Sequence, residues 1–475
     1  MAEHTVEKIG GTTMSRLNEL RDTLLIGERE GADLYGRIFV VSAFGGITNL
    51  LLEHKKTGEP GVYGQFAASD NSHGWHDALN RVGDAMIDAH TSVLEHPADI
   101  DRATDFVRTR IDGARNCLID LARVCSYGHF RLSEHMLQTR ELLSGMGEAH
   151  SAFVTVLMLQ RAGVDARFVD LSGWRGEGDV TLEQRILGAM DGIDPMSEMP
   201  IVTGYAQCAE GLMREFDRGY SEVTFSMLAS LTRAREAIIH KEFHLSSADP
   251  NLVGQDAVRK LGRTNYDVAD QLSNMGMEAI HPKAAKTLRQ ADVPLRVTNA
   301  FEPKDPGTLI DDEAAETPAV EIVTGLDIIA LELFEQDMVG VKGYDAAILE
   351  VLTRHDVRIV SKVSNANTIT HYVDSSLSAM RLVEKDLRKV YPAARIGSRT
   401  LAMASVIGRD LAGLSCLQRG LIAIADQGLE AIGATQGPRN VDVQFIMERE
   451  LLKPAIKALH KTFIEDIPAV RAAAA

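Results

Sequence analysis

Close to the start of the chain, Lys8-Ile9-Gly10-Gly11-Thr12-Thr13 sets a lysine beside two glycines, offering a cation and unshielded backbone N–H groups to a polyphosphate. The layout differs from the G-x-x-x-x-G-K-[ST] phosphate loop, and a glycine pair after a strand also serves as a plain turn. A second glycine pair lies in the run from Val40 to Asn49, where Ser42, Thr48 and Asn49 bring hydrogen-bonding groups. From Ser144 to Ala152, Glu148 sits among glycines, where its carboxylate either caps a helix start or holds a ligand cation. From Glu215 to Phe225, Arg218 stands next to Gly219, Ser221, Glu222 and Thr224. An arginine in such a turn forks onto a ligand carboxylate or forms an exposed surface ion pair.

These groups need elements to carry them. The spacing predicts a strand over Val6 to Ile9, a helix from Ser15 to Glu28 with Leu17, Leu20, Leu24 and Leu25 on one face, and a buried strand from Arg37 to Ser42. Strand, glycine turn, helix and strand open an α/β sheet whose strand-end loops hold a ligand. From Glu53 to Trp75 the chain is polar and no element is assigned. Amphipathic helices are expected at His76 to Glu95 and Asp99 to Val124, then a helical region from Ser133 to Ala162 interrupted at Ser144 to Gly147. Further strands are expected at Ala166 to Asp170, Ile201 to Thr203, Ala237 to His240 and Leu295 to Thr298, and the acidic stretch Asp311 to Ala319 reads as a linker.

Beyond that stretch the sequence repeats. Leu352 to Val373 overlays Ile424 to Phe445 at an offset of about 72 positions, the mark of a duplicated unit. Helices at Tyr344 to His355 and Leu414 to Gln427 each precede a strand pair (Arg358 to Val363 with Thr368 to Val373; Glu430 to Thr435 with Asn440 to Ile446). A strand before each (Ile328 to Phe334; Leu401 to Ile407) and a helix after (Ser376 to Val390; Glu450 to Phe463) complete two βαββαβ units.

Composition narrows the partners. A formal net charge of −17 disfavours nucleic acid and anionic membrane, both of which require a basic face. No apolar run approaches the roughly 18 residues of a membrane span, and no signal-peptide layout opens the chain, so a soluble, cytoplasmic protein is expected. Cys117, Cys125, Cys208 and Cys416 show neither zinc spacing nor a disulfide framework. Histidines such as His73, His76, His90, His129, His135 and His150 lack HxxxH or HExxH spacing, so no metal site is expected.

The motifs together resemble the aspartokinase branch of the amino-acid kinase family. Lys8 to Thr13 are similar to its KFGGTS-like start, Val40 to Asn49 to its VVSA(M)GGxTN segment, Gly147 and Glu148 to its GE motif, and Asp217 to Glu222 to its GRGGSD segment. His281 to Ala284 and Pro294 to Ile310 are similar at nearly every position, and the duplicated units resemble its tandem ACT domains. Departures are Tyr220 and Glu222 within the GRGGSD segment, Glu278 where the family has lysine, and a nucleotide-side segment, His240 to Asn251, that keeps only Ala248, Asp249 and Pro250. The KIGGTT start, DRGYSE and the long excursion after the second strand resemble a subgroup associated with bacterial ectoine biosynthesis.

The resemblance implies a three-layer α/β/α sandwich of the amino-acid-kinase type over residues 1–312, then ferredoxin-like ACT domains over 320–392 and 396–468. It implies transfer of the γ-phosphoryl group of ATP, with Mg2+, to the side-chain carboxylate of L-aspartate. Such a carboxylate, with a pKa near 3.9, is ionised at neutral pH and needs no general base, so the obstacle is repulsion between two anions. Lys8 would neutralise the transferring group, with Gly10, Gly11, Thr12, Lys241 and Asp249 on the nucleotide side. Arg218 would fork onto the α-carboxylate, Glu148 would pair with the ammonium, and Thr48 and Ser221 would hydrogen-bond the substrate. Glu222 would organise the lysine or the metal. The loops 336–343 and 408–413 would hold an amino-acid effector, and the chain would form a homodimer or larger homo-oligomer. Two rival readings stand beside this one: a sensor whose kinase domain has decayed, and a relative acting on glutamate or a carbamate-like substrate.

Overall fold

A computed structural model describes residues 3–55, 57–68, 74–176, 180–216, 219–277, 280–314 and 317–466. The chain divides into two units, Met1–Leu245 with Ile280–Asp311, and Ser246–Ala279 with Asp312–Ala475. In chain order the strands are β1 Thr5–Ile9, β2 Arg37–Val41, β3 Ala166–Val169, β4 Met199–Thr203, β5 Glu236–Lys241, β6 Arg263–Asn265, β7 Leu295–Asn299 and β8 Thr308–Asp311. They continue with β9 Ile322–Phe334, β10 Arg358–Ser364, β11 Thr368–Asp374, β12 Arg395–Ile407, β13 Gly433–Gln436 and β14 Asp442–Met447.

In the first unit the sheet runs β3-β4-β2-β1-β5-β7-β8. All pairings are parallel except β7 with β8. Every residue of β1, β2 and β4 is buried, as a parallel sheet covered by helices on both faces requires. This is the α/β/α sandwich expected above.

Alternation along a strand sends Glu7 and Lys8 to opposite faces. On the Glu7 side, its carboxylate accepts from Arg37 Nε at 2.9 Å and Nη2 at 3.0 Å and lies 2.7 Å from His240 Nε2. His240 Nδ1 is in turn 2.7 Å from Thr298 Oγ1. The buried network therefore joins β1, β2, β5 and β7. Burial works against ionisation of Glu7, yet Arg37 and His240 hold its carboxyl well below the usual carboxylate range.

Two local expectations need correction. The segment from Ser15 to Glu28 is not one helix: it forms Gly11–Met14, Leu17–Leu20 and a π turn over Arg21–Leu25. The helix Met136–Arg161 runs unbroken through Gly145 and Gly147. Those glycines mark close approach instead of a break. A Cβ at Gly145 would lie 2.8 Å from the Tyr205 ring and one at Gly147 would lie 2.9 Å from the Ala43 Cβ. The same helix is long and apolar enough by composition to cross a membrane, but 89% of its most apolar window is buried inside the protein. It is apolar on average without being an unbroken apolar run. The unassigned stretch 53–75 contains a helix, Val62–Ala67, while His73 lies outside the described residues.

In the second unit a single sheet runs β10-β11-β9-β12-β14-β13. β9 and β12 are each 13 residues long and pair antiparallel from Ile322↔Ile407 to Phe334↔Arg395. β11 continues the sheet beside the second half of β9, and β14 beside the second half of β12. The two cores are correspondingly crossed. Ile329, Leu331 and Leu333 of β9 and Ile396 of β12 belong with the helices Tyr344–Arg354 and Leu377–Val390. Val323 of β9 and Ala402, Ala404 and Val406 of β12 belong with Cys416–Asp426 and Leu452–His460. Each βαββαβ unit thus completes its sheet with half of a strand it shares. Residues of Ser246–Ala279 pack here too: Leu252 and Val253 against the second core, and Ser247 Oγ 2.8 Å from His460 Nε2.

Candidate active site

Four adjacent parallel strands, in the order β4, β2, β1 and β5, end side by side, and at their carboxyl ends the chain leaves the sheet and exposes polar groups. Lys8 lies one residue from the end of β1. Its ammonium donates to Glu222 Oε1 at 3.1 Å, with both side chains nearly buried. Glu222 stands in the first turn of the helix Tyr220–Leu231, which opens on Gly219 with φ of 94°. Only a glycine fits there readily, since the conformation is left-handed and a Cβ would meet the His281 ring at 3.0 Å. The second oxygen of Glu222 accepts the His281 backbone N–H at 2.5 Å. Burial alone would raise the Glu222 pKa. Lys8, the His281 N–H and the charge of Lys241 outweigh burial and leave it lowered. The register puts Lys241 on the same sheet face as Lys8, so two lysines share one ionised carboxylate.

Glu148 approaches the same place from the helix Met136–Arg161. It is 3% exposed, its Oε2 has no hydrogen-bond partner, and burial pushes its carboxyl up to about 8 although Lys8 and the Tyr205 N–H pull the other way. A Cβ at Gly204 would stand 3.2 Å from that Oε2 and 2.7 Å from Ser221 Cβ. Gly204 therefore keeps open the wall between Glu148 and Ser221. Ser221 Oγ is 3.5 Å from Ser42 Oγ, at the end of β2. A buried polar atom with no partner is costly in the folded protein, and a ligand cation would satisfy it.

Of the residues singled out by sequence, Lys8, Glu148, Ser221, Glu222 and Lys241 are brought together. Gly10 and Gly11 follow Lys8 directly, and Gly11 meets the loop after β2, where a Cβ would be 2.9 Å from Ala43 O. Thr12 is exposed in the short helix after them, and Thr48 is half-buried in the first turn of the helix Ile47–Leu51. Asp249 belongs to the second unit, where its carboxylate caps the short helix Pro250–Val253 by accepting from Asn251 N at 2.9 Å. Arg218 and Glu278 lie outside the described residues. Glu148 sits mid-helix, so helix capping is excluded for it. Sequence reading missed Gly204, whose signal was a glycine after the strand at Ile201 to Thr203, and the two backbone donors of Tyr205 and His281, which carry no side-chain signature.

Residues 3–299 match the Amino acid kinase family. The chain is 50% identical over 464 residues to the aspartate kinase Ask_Ect of Stutzerimonas stutzeri, covering 97% of this chain and 98% of that one. It is 24% identical over 431 residues to the lysine-sensitive aspartokinase 3 of Escherichia coli, covering 86% and 88%. Among solved structures, E. coli aspartokinase III in complex with lysine and aspartate superposes with a TM-score of 0.72 at 18% identity, covering 97% of this chain and 100% of that one. The same enzyme with aspartate and ADP gives 0.69 at 18% identity, covering 97% and 99%.

Proposed function

Because this chain belongs to the amino acid kinase family, we infer from its site how it works as an aspartate kinase, transferring the γ-phosphoryl group of ATP to the side-chain carboxylate of L-aspartate. The observation that carries this reading is the meeting of a buried lysine, held by Glu222, with a buried glutamate whose second oxygen waits for a cation. One group suits a phosphoryl anion and the other an ammonium.

The reaction needs no proton from the protein. The ionised carboxylate oxygen of aspartate forms a bond to the γ-phosphorus as the bond to the β,γ-bridging oxygen breaks, and ADP leaves with that electron pair. Mg2+ on the nucleotide phosphates would neutralise further charge. Lys8, fixed by Glu222 and ready to reach the γ-phosphoryl, lowers the repulsion between the two anions without reorganising. Glu222 is a positioning residue for it. Glu148 receives the substrate ammonium, with Ser221 and Thr48 on the substrate side, and the backbone at Gly10, Gly11 and Thr12 together with Lys241 on the nucleotide side. Arg218, next to Gly219 in sequence, takes the α-carboxylate.

The relative named Ask_Ect supports a place at the head of aspartate-derived synthesis, including ectoine. Residues 1–312 act as the catalytic domain, and 320–392 and 396–468 contribute the two ACT folds. An amino acid bound near 336–343 or 408–413 would act as effector, a cytoplasmic setting suits the substrates, and the chain functions as a homodimer or larger homo-oligomer. The aspartate–lysine and aspartate–ADP complexes of the E. coli enzyme support the substrate and effector classes.

The test is hydroxylamine trapping of acyl phosphate with ATP and aspartate, glutamate or acetylglutamate offered in turn. Hydroxamate is expected from aspartate alone, and Lys8→Ala should lower kcat by about two to three orders of magnitude, as loss of a preorganised charge does. Hydroxamate from none of the three, or near-normal turnover in Lys8→Ala, refutes the assignment.

A further inference from the structure

The loops after β5 and β7 bring together three potential metal ligands, His244 from one loop and Glu302 and Asp305 from the other, each with a donor atom within 4.8 Å of the others. The His244 side chain is 8% exposed and its Nε2 lies 2.9 Å from Glu302 Oε2. A carboxylate can only accept, so Nε2 carries the hydrogen, and in the neutral imidazole the lone pair falls on Nδ1. That Nδ1 is buried and has no hydrogen-bond partner. What faces it is a second acceptor, Asp305 Oδ1, at 3.6 Å.

Two acceptors facing each other repel unless something positive lies between them. The gap is too wide for a hydrogen bond. It is close to the spacing of two ligands on one ion, since donors about 2.1 Å from a tetrahedral cation sit roughly 3.4 Å apart. The arrangement also has the supporting layer that metal-binding histidines carry, a carboxylate on the other ring nitrogen that fixes tautomer and orientation.

The loops are held in place without any ion. Ala300 N donates to Lys241 O at 2.8 Å, tying the end of β5 to the end of β7. Asn299 Nδ2 donates to Glu302 Oε1 at 3.0 Å and Gly307 N to Asp305 Oδ1 at 2.9 Å, so both carboxylates are aimed by their own loop.

We propose that His244 Nδ1 and Asp305 bind a divalent transition cation of the zinc class, with Glu302 orienting the imidazole and water filling the remaining positions. An imidazole nitrogen beside a carboxylate favours zinc, cobalt or manganese over magnesium or calcium, which prefer oxygen alone. The proposal rests on these side chains and does not depend on the substrate assignment.

The test uses full-length protein stripped with chelator, free of nucleotide, and titrated with Zn2+ by calorimetry and with Co2+ by visible absorption. One saturable equivalent is expected, with Co2+ giving d–d bands of a low-coordinate nitrogen–oxygen site. His244→Gln and Asp305→Asn should each abolish that equivalent while circular dichroism stays that of the parent. Glu302→Gln should keep the stoichiometry and weaken binding by about tenfold to a hundredfold. A parent protein with no saturable equivalent, or an equivalent that persists in His244→Gln, overturns the site. Unchanged affinity in Glu302→Gln overturns the role given to that carboxylate.

Discussion

A carboxyl group with a pKa of about 8, buried and unpartnered on one oxygen, binds a proton when its site is empty and must give it up to receive an ammonium. Glu148 is such a group. Below about pH 8 aspartate therefore competes with a proton. The dissociation constant for aspartate should rise as pH falls, approaching tenfold for each pH unit well below that value, and binding near neutrality should release a proton. Above about pH 8 the part of the dependence that comes from Glu148 should vanish. Calorimetry in buffers of different ionisation enthalpy measures the proton, and Glu148→Gln should bind weakly with no such slope. An unchanged affinity between pH 6 and 8 in the parent protein would remove Glu148 from the ammonium site.

At this scale the sequence showed which side chains matter more readily than what surrounds them. KIGGTT and SGMGEAHSA exposed Lys8 and Glu148 because their types are unusual at those spacings. The backbone donors of Tyr205 and His281 are invisible to motif reading, since any residue but proline supplies an N–H. The His244 group was missed for another reason. Its partners Glu302 and Asp305 come from the loop after a different strand, and only the pairing of β5 with β7 makes them neighbours.

Among the elements, the helix Met136–Arg161 shows why glycine has to be read against packing. Gly145 and Gly147 look like helix breakers in the sequence, and the expected interruption at Ser144 to Gly147 followed from that. Helical propensity disfavours glycine by only about 1 kcal/mol, less than a collision with a fixed ring would cost. Gly145→Ala would place a methyl 2.8 Å from Tyr205, whose ring is fully buried and whose hydroxyl is held by Glu141. Overpacking of about 1–3 kcal/mol should exceed the propensity gain, so the urea midpoint should fall. Gly188→Ala, in the helix Leu182–Met190 with nothing within 4 Å of its Cβ, should instead stabilise by about 0.5–1 kcal/mol. Equal shifts of the same sign would mean that the close contact at Gly145 does not control the choice of residue.

For the chain as a whole, the duplicated texture after residue 320 disclosed two βαββαβ units and the order of their elements. It did not disclose that the units are crossed. Strand β9 begins at Ile322, yet the repeat pattern starts it at Ile328, because the earlier part, with Val323, belongs to the other copy's core. Alignment of two copies compares equivalent positions, and a strand half lent to the partner copy has no equivalent in its own. Leu401 pairs with Ile328 midway along β12. Leu401→Pro removes a ladder donor there and should strip amide protection from both cores together, by hydrogen exchange with mass spectrometry. Continued protection around Ile348 and Val351 with loss only around Ile424 would show that the halves fold independently.

The crossed strands also set an order of events during synthesis. The first residues of β9 leave the ribosome early, but the strand beside them, the far half of β12, emerges only some eighty residues later. The helix Leu452–His460 that covers the same core comes later still. Through that interval Ile322 and Val323 lack their β12 partners, and an apolar strand edge left open in this way is the kind of surface that chaperones capture and that neighbouring chains on a polysome can pair with. Slower translation after residue 334 should lengthen that exposure, while in the finished chain β12 pairs with that stretch of β9.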